Sequence, residues 1–199
     1  LIAIVGFLTV CPVLMLLFGS FSSGLDAFGT FTIEKYVKSY TDPAFANILA
    51  NTAVFTLGSA VVATFLALFL AYLNTRTNIP FKFLFRVISI IPMMIPHILF
   101  AVSWVLLLNP TNGLINLYLK QLFNIQEALF NIYTLPGMIL VEGLLDLPIA
   151  YLIIAPAMAA FDVSLEESSK VCGASNLSTL RRVTLPILRP AILAAFTLV

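Results

Sequence analysis

The chain has 199 residues, of which 61% are hydrophobic and only 10% charged, with a mean hydropathy of +1.07. Soluble domains carry charge on about a quarter of their residues, so this composition excludes an ordinary soluble protein and points to a membrane protein. Ten Lys and Arg against nine Asp and Glu leave a net charge of +1, which excludes a basic surface for nucleic acid. Two cysteines, Cys11 in an apolar run and Cys172 in a polar one, have neither metal-ligand spacing nor a disulfide framework and read as free thiols.

A helix needs about 20 apolar residues, at about 1.5 Å each, to cross about 30 Å of hydrocarbon. The opening stretch "LIAIVGFLTVCPVLMLLFGSF" is such a segment, without the basic leader or small-residue cleavage site of a signal peptide. Further spans are expected at about 48–73, 83–108 and 135–161, and a fifth begins near Ile187. The chain starts at Leu1 without Met and stops at Val199 within an apolar run, so both ends are expected to continue in a longer polypeptide. Backbone groups in lipid must bond internally, and the period-two alternation of barrel strands is absent. The expected fold is an all-α polytopic helix bundle, incomplete at its C-terminus.

Basic residues orient it. Arg76, Lys82, Arg86, Lys170, Arg181, Arg182 and Arg189 fall in two alternate loops, against Lys35, Lys38 and Lys120 in the others. The positive-inside rule then puts residues 74–86 and 164–190 in the cytoplasm, with 22–46 and 109–134 outside. The second outer loop places Leu114, Leu117, Leu119 and Leu122 near helical spacing and is expected to lie along the outer interface. Pro80, Pro92 and Pro96 are expected to bend the third span.

No GxxxxGK[ST] loop, Gly-rich phosphate fingerprint, HExxH or CxxC occurs. An enzyme is therefore not expected: no catalytic residues, cofactor or metal site are assigned. Within the fourth span, Glu142 and Asp146 stand four apart and share a helix face. An ionised carboxylate at mid-membrane costs about 3 kcal/mol, so the pair either lines a water-filled substrate path or meets polar groups of a neighbouring helix. Pro148, two residues on, frees a backbone carbonyl and allows a kink. His97, beside Pro96, is a packing residue or a gate.

The polar stretch "SLEESSKVCGASNLSTLRRVTLPILRP" follows the fourth span. Ser164 and Glu167 have capping-box spacing, Gly173 suits a left-handed helix C-cap, and Ser175 suits the N-cap of a second helix over "NLSTLRRV". Leu177 and Leu180 lie on one side of that helix, Arg181 and Arg182 in its last turn. Pro186 and Pro190 are expected to break the register and start the fifth span. The expected product is a rigid helix-turn-helix in the cytoplasm.

This segment resembles the cytoplasmic EAA loop of binding-protein-dependent ABC importer permeases: Glu-Ala-Ala, three residues, Gly, nine residues, then Ile-x-Leu-Pro. Glu167, Ser168, Ser169, Gly173, Val183, Leu185 and Pro186 fall at those spacings, with serines for both alanines, Val for Ile, and Cys172 where Asp is frequent. Asn51 and Thr52 at the second span extend the resemblance over about 47–199. It implies a type I importer permease fold, with residues 1–46 as a first transmembrane helix plus external loop, 47–199 as the permease domain and 162–186 as the EAA loop. It also implies a multi-pass subunit of the bacterial inner membrane, working with ATPase subunits, a second permease module, fused or separate, and an extracytoplasmic substrate-binding protein. On that analogy Glu167 contacts the ATPase besides capping its helix, and Gly173 with Ala174 makes the close turn. Leu177 and Leu180 are buried against the partner, and Val183, Leu185 and Pro186 anchor the loop to the fifth helix. Stretches such as "FNIYTLPGMILVEGL" look most like ferric iron permeases, while polyamine, thiamine and phosphonate permeases share the layout. The competing readings are a secondary transporter or channel using Glu142 and Asp146, which needs no ATPase, and a purely structural membrane subunit.

Overall fold

A computed structural model describes residues 2–22 and 30–199, and the described residues are almost entirely helical. They form two compact units, residues 1–52 and 53–199. In the first unit α1 (Ile2–Ser20) is apolar throughout and α2 (Glu34–Thr41) is a short amphipathic helix. Phe21 stacks on Phe31 at 5.2 Å, and the Tyr36 hydroxyl donates to Ser20 Oγ at 2.8 Å. Of the expected outer loop 22–46, residues 23–29 lie outside the described residues.

The long helix α3 (Ala44–Arg76) carries the chain into the second unit. There follow α4 (Lys82–Ile90), a 3-10 turn (Ile91–Met94), α5 (His97–Leu108), α6 (Leu114–Phe123) and α7 (Leu135–Ala160). Then come α8 (Ser164–Val171), the one-turn α9 (Asn176–Thr179), a π turn (Leu180–Thr184) and α10 (Leu185–Leu198). Among the described residues, α3 and α7 are long and apolar enough to cross a membrane.

The third expected span, 83–108, is not one kinked helix. Its two halves meet at 110°. Pro96 pushes the residue before it out of the helical region, and Ile95 is extended, at φ −94° and ψ 128°. Pro96 also offers no N–H to continue the ladder, so α5 starts afresh at His97. By contrast α7 runs unbroken through Pro148 and Pro156. It is entered by Thr134, whose hydroxyl accepts the Gly137 N–H at 3.4 Å, with Pro136 in the first turn.

Two apolar clusters hold the second unit. In one, Ala67 and Ala71 of α3 pack with Leu147, Ala150, Tyr151, Ile154 and Met158 of α7 and with Leu188 and Ala195 of α10. Small side chains let helix backbones approach closely, and Gly143 carries this to its limit: a Cβ there would lie 2.6 Å from Val62 Cγ1. The other cluster joins Phe100 and Leu108 of α5 to Ile132, Val141 and Leu145. The expected helix in the second outer loop is present as α6. Its buried residue is polar, however: Asn116 Nδ2 donates to the carbonyls of Leu108, Asn109 and Phe130, and its Oδ1 accepts the Phe130 N–H.

Candidate functional site

The segment 162–186 leaves the end of α7 and returns as α10. Asp162 opens it, its carboxylate accepting the backbone N–H of Ser164 at 2.9 Å. That bond, joined by one from the Ser164 side chain, holds the Asp162 carboxyl below the usual carboxylate range. The expected capping box of Ser164 and Glu167 is not formed. Val163 occupies the N-cap without a side-chain bond, and the Glu167 N–H goes to the Val163 carbonyl at 3.0 Å. An acid two residues upstream has taken over the entry, which places Ser164 and Glu167 together inside the first turn and leaves Glu167 exposed.

The turn expected at Gly173 is present. Gly173 has φ +85°, a conformation in which a side chain is strained although nothing lies within 4 Å of the site a Cβ would take. Its N–H bonds to the Lys170 carbonyl at 2.9 Å and that of Ala174 to the Ser169 carbonyl at 3.1 Å, the two closures of a Schellman motif. Ser175 Oγ then accepts the Ser178 N–H at 3.3 Å and caps α9. Ser169 Oγ and Thr179 Oγ1, 3.1 Å apart, tie α8 to α9, while Ser168 Oγ donates back to the Ser164 carbonyl. Val171 and Leu177 stand 88% and 74% exposed, whereas Leu180, Val183, Leu185 and Pro186 are half-buried.

Between α9 and α10 no loop intervenes, contrary to the register break expected at Pro186 and Pro190. The chain instead widens into a π turn in which the Leu185 N–H reaches the Leu180 carbonyl, five residues back. A proline ring presses on the carbonyl four residues before it. A widened turn immediately ahead of Pro186 relieves that clash without ending the helix.

Under this loop lies a buried ion pair. Arg76, the last residue of α3, donates through Nε to Glu166 Oε1 at 3.1 Å and through Nη2 to the Phe161 carbonyl at 3.1 Å. Its guanidinium carbon sits 5.3 Å from the centroid of the Phe161 ring. The Thr184 hydroxyl, in the π turn, donates to the same Glu166 oxygen at 2.8 Å. The Arg76 and Glu166 side chains are only 7% and 9% exposed. Sequence reasoning named Glu167 and passed over Glu166, Arg76 and Thr184. The usable signal was helical phase: successive α8 residues point about 100° apart, so one of two adjacent glutamates had to turn toward the bundle.

Glu142 and Asp146 lie half-buried on α7. Glu142 lines a cavity of about 350 Å3 with Phe55, Ala101, Val105, Ile132, Tyr133, Met138 and Val141. His97, the first residue of α5, follows directly on the break in the third span. Among the described residues these three do not form a group that could hold a metal ion.

The helices share their fold with a chain of a bacterial ABC transporter involved in the import of the acidic polysaccharide alginate. The TM-score is 0.69 at 20% identity, covering 100% of this chain and 69% of that one. Residues 63–199, more than half of the chain, match the family described as binding-protein-dependent transport system inner membrane component, and the chain belongs to that family. Relatives include the galactooligosaccharides transport system permease protein of Bacillus subtilis, 29% identical over 174 residues, which cover 84% of this chain and 40% of that protein. The ferric transport system permease protein of Actinobacillus pleuropneumoniae is 24% identical over 199 residues, 100% of this chain and 28% of that protein. The sulfate transport system permease protein of Escherichia coli is 26% identical over 187 residues, 94% of this chain and 60% of that protein. The chain thus spans well under half the length of the first two.

Proposed function

We propose that this chain is part of the membrane-spanning permease subunit of an ATP-driven importer. In this reading residues 47–199 belong to the permease domain, and the loop 162–186 docks on a separate cytoplasmic ATPase. The observation that carries the reading is the construction of the loop. A Schellman turn at Gly173 and a cap at Ser175 hold two short helices rigid while leaving Val171 and Leu177 exposed about the turn and Glu167 exposed in the first turn of α8. A loop that merely joined two spans would need neither the caps nor the exposed apolar side chains. Membership of a binding-protein-dependent family supports the same assignment, with an extracytoplasmic binding protein delivering substrate and a second permease module completing the path. It speaks against a secondary transporter. Glu142, which lines a cavity with Phe55, and Asp146, one turn further along α7, are the candidate lining of that path.

Ferric iron is the first substrate to test, because a ferric permease aligns with the whole chain; sugar and sulfate permeases align with most of it. Polyamines, thiamine and phosphonates follow. The test of the class is co-purification of the full-length permease with its ATPase, comparing wild type with a variant whose residues 164–175 are replaced by a Gly/Ser linker. The expected result is a stable complex for wild type alone. Equal recovery of both complexes would remove the docking assignment.

A further inference from the structure

Four segments meet at one buried ion pair, Arg76 with Glu166. Arg76 closes α3, Phe161 follows the last residue of α7, Glu166 sits in the first turn of α8, and Thr184 ends the π turn that leads into α10. A single guanidinium joins the first three through two hydrogen bonds of 3.1 Å and its stacking on Phe161, and the Thr184 hydroxyl adds the fourth at 2.8 Å. A planar fork of donors suits this task, since a lysine ammonium has no second arm held at fixed geometry. Separating a buried pair of this kind leaves uncompensated charges and is strongly disfavoured, so the segments it joins are held together.

Resting on the docking reading above, we propose that Arg76, Glu166 and Thr184 are positioning residues that convert movement of the docked loop into movement of α3 and α10. The two neighbouring glutamates divide the work. Glu167 faces outward toward the ATPase, and Glu166 faces inward and grips the membrane helices. Without the inner grip, the ATPase still binds the exposed tip at Val171 and Leu177, yet α8 moves without drawing α3 along.

The test uses the full-length permease with its ATPase in proteoliposomes, with Cys11→Ala and Cys172→Ala as background and Phe55→Cys as reporter on α3. The rate of maleimide labelling of the reporter is measured with and without ATP plus vanadate. The background is expected to change its labelling rate when ATP plus vanadate is added. Glu166→Gln and Arg76→Gln are expected to retain the ATPase and lose that response, and the exchanged pair Arg76→Glu with Glu166→Arg is expected to regain part of it. A response unchanged in both single variants, or absent in the background, overturns the proposal. If the single variants do not accumulate, Thr184→Val, which removes only a hydroxyl, is read in their place, and an unaltered response there overturns it equally. Failure of the unaltered permease to bind the ATPase would instead overturn the docking reading.

Discussion

The carboxylates of α7 and those of α8 have opposite surroundings. Glu166 is buried and satisfied, by a guanidinium that is itself held by the Phe161 carbonyl and ring, and by a threonine hydroxyl. Glu142 and Asp146 are half-buried, Glu142 against a cavity, and take no ion pair or hydrogen bond among the described residues. A buried charge with its partners in place fixes the arrangement of helices, whereas a membrane-embedded charge without them is tolerated where water or a passing solute reaches it. The first arrangement suits transmission of force and the second suits a path.

Substitutions that remove charge sharpen this contrast. Glu166→Ala strands Arg76 in a buried site and is expected to destabilise the folded permease by about 3–5 kcal/mol, read as the thermal unfolding midpoint in detergent. Gly173→Ala keeps every contact but forces an L-residue into the left-handed region, with an expected loss of about 1–2 kcal/mol and weaker ATPase binding. Asp146→Asn, which breaks no ion pair or hydrogen bond among the described residues, is expected to cost much less stability than Glu166→Ala while altering transport. A loss as large as that of Glu166→Ala would show that Asp146 is a structural anchor and break the comparison.

The smallest effect is acid sensitivity at the loop entrance. Because Asp162 is held below its ordinary value of 3.8 when folded, its cap contributes fully above that value. The contribution is lost as pH falls through the lowered one. The Ser164 amide chemical shift should follow this titration, and Asp162→Asn should abolish the dependence.

What the sequence made legible here is short-range. Gly173 and Ser175 are read correctly because a helix C-cap and an N-cap depend on residues three to five apart, and the long apolar stretches 48–73 and 135–161 leave no alternative to helices. The capping box failed for a local reason as well: Asp162, outside the helix, takes the Ser164 N–H, and the Glu167 N–H goes to the Val163 carbonyl. The 110° break after Pro92 and Pro96 was expected only as a bend, since prolines reveal where a ladder stops but not the direction in which packing sends the next helix. Arg76 and Glu166 are 90 residues apart, and a pair at that separation leaves no trace in spacing or periodicity.

The central claim is that the tip of the 162–186 loop docks on an ATPase, and site-directed cross-linking tests it most directly. In a background lacking Cys11 and Cys172, single cysteines are placed at Leu177, which is 74% exposed, and at Leu180, which is half-buried. Each full-length permease is treated with a short thiol-to-amine cross-linker together with its ATPase. The account predicts a permease–ATPase adduct from position 177 and little from position 180. No adduct from 177, or equal adducts from both positions, would contradict it.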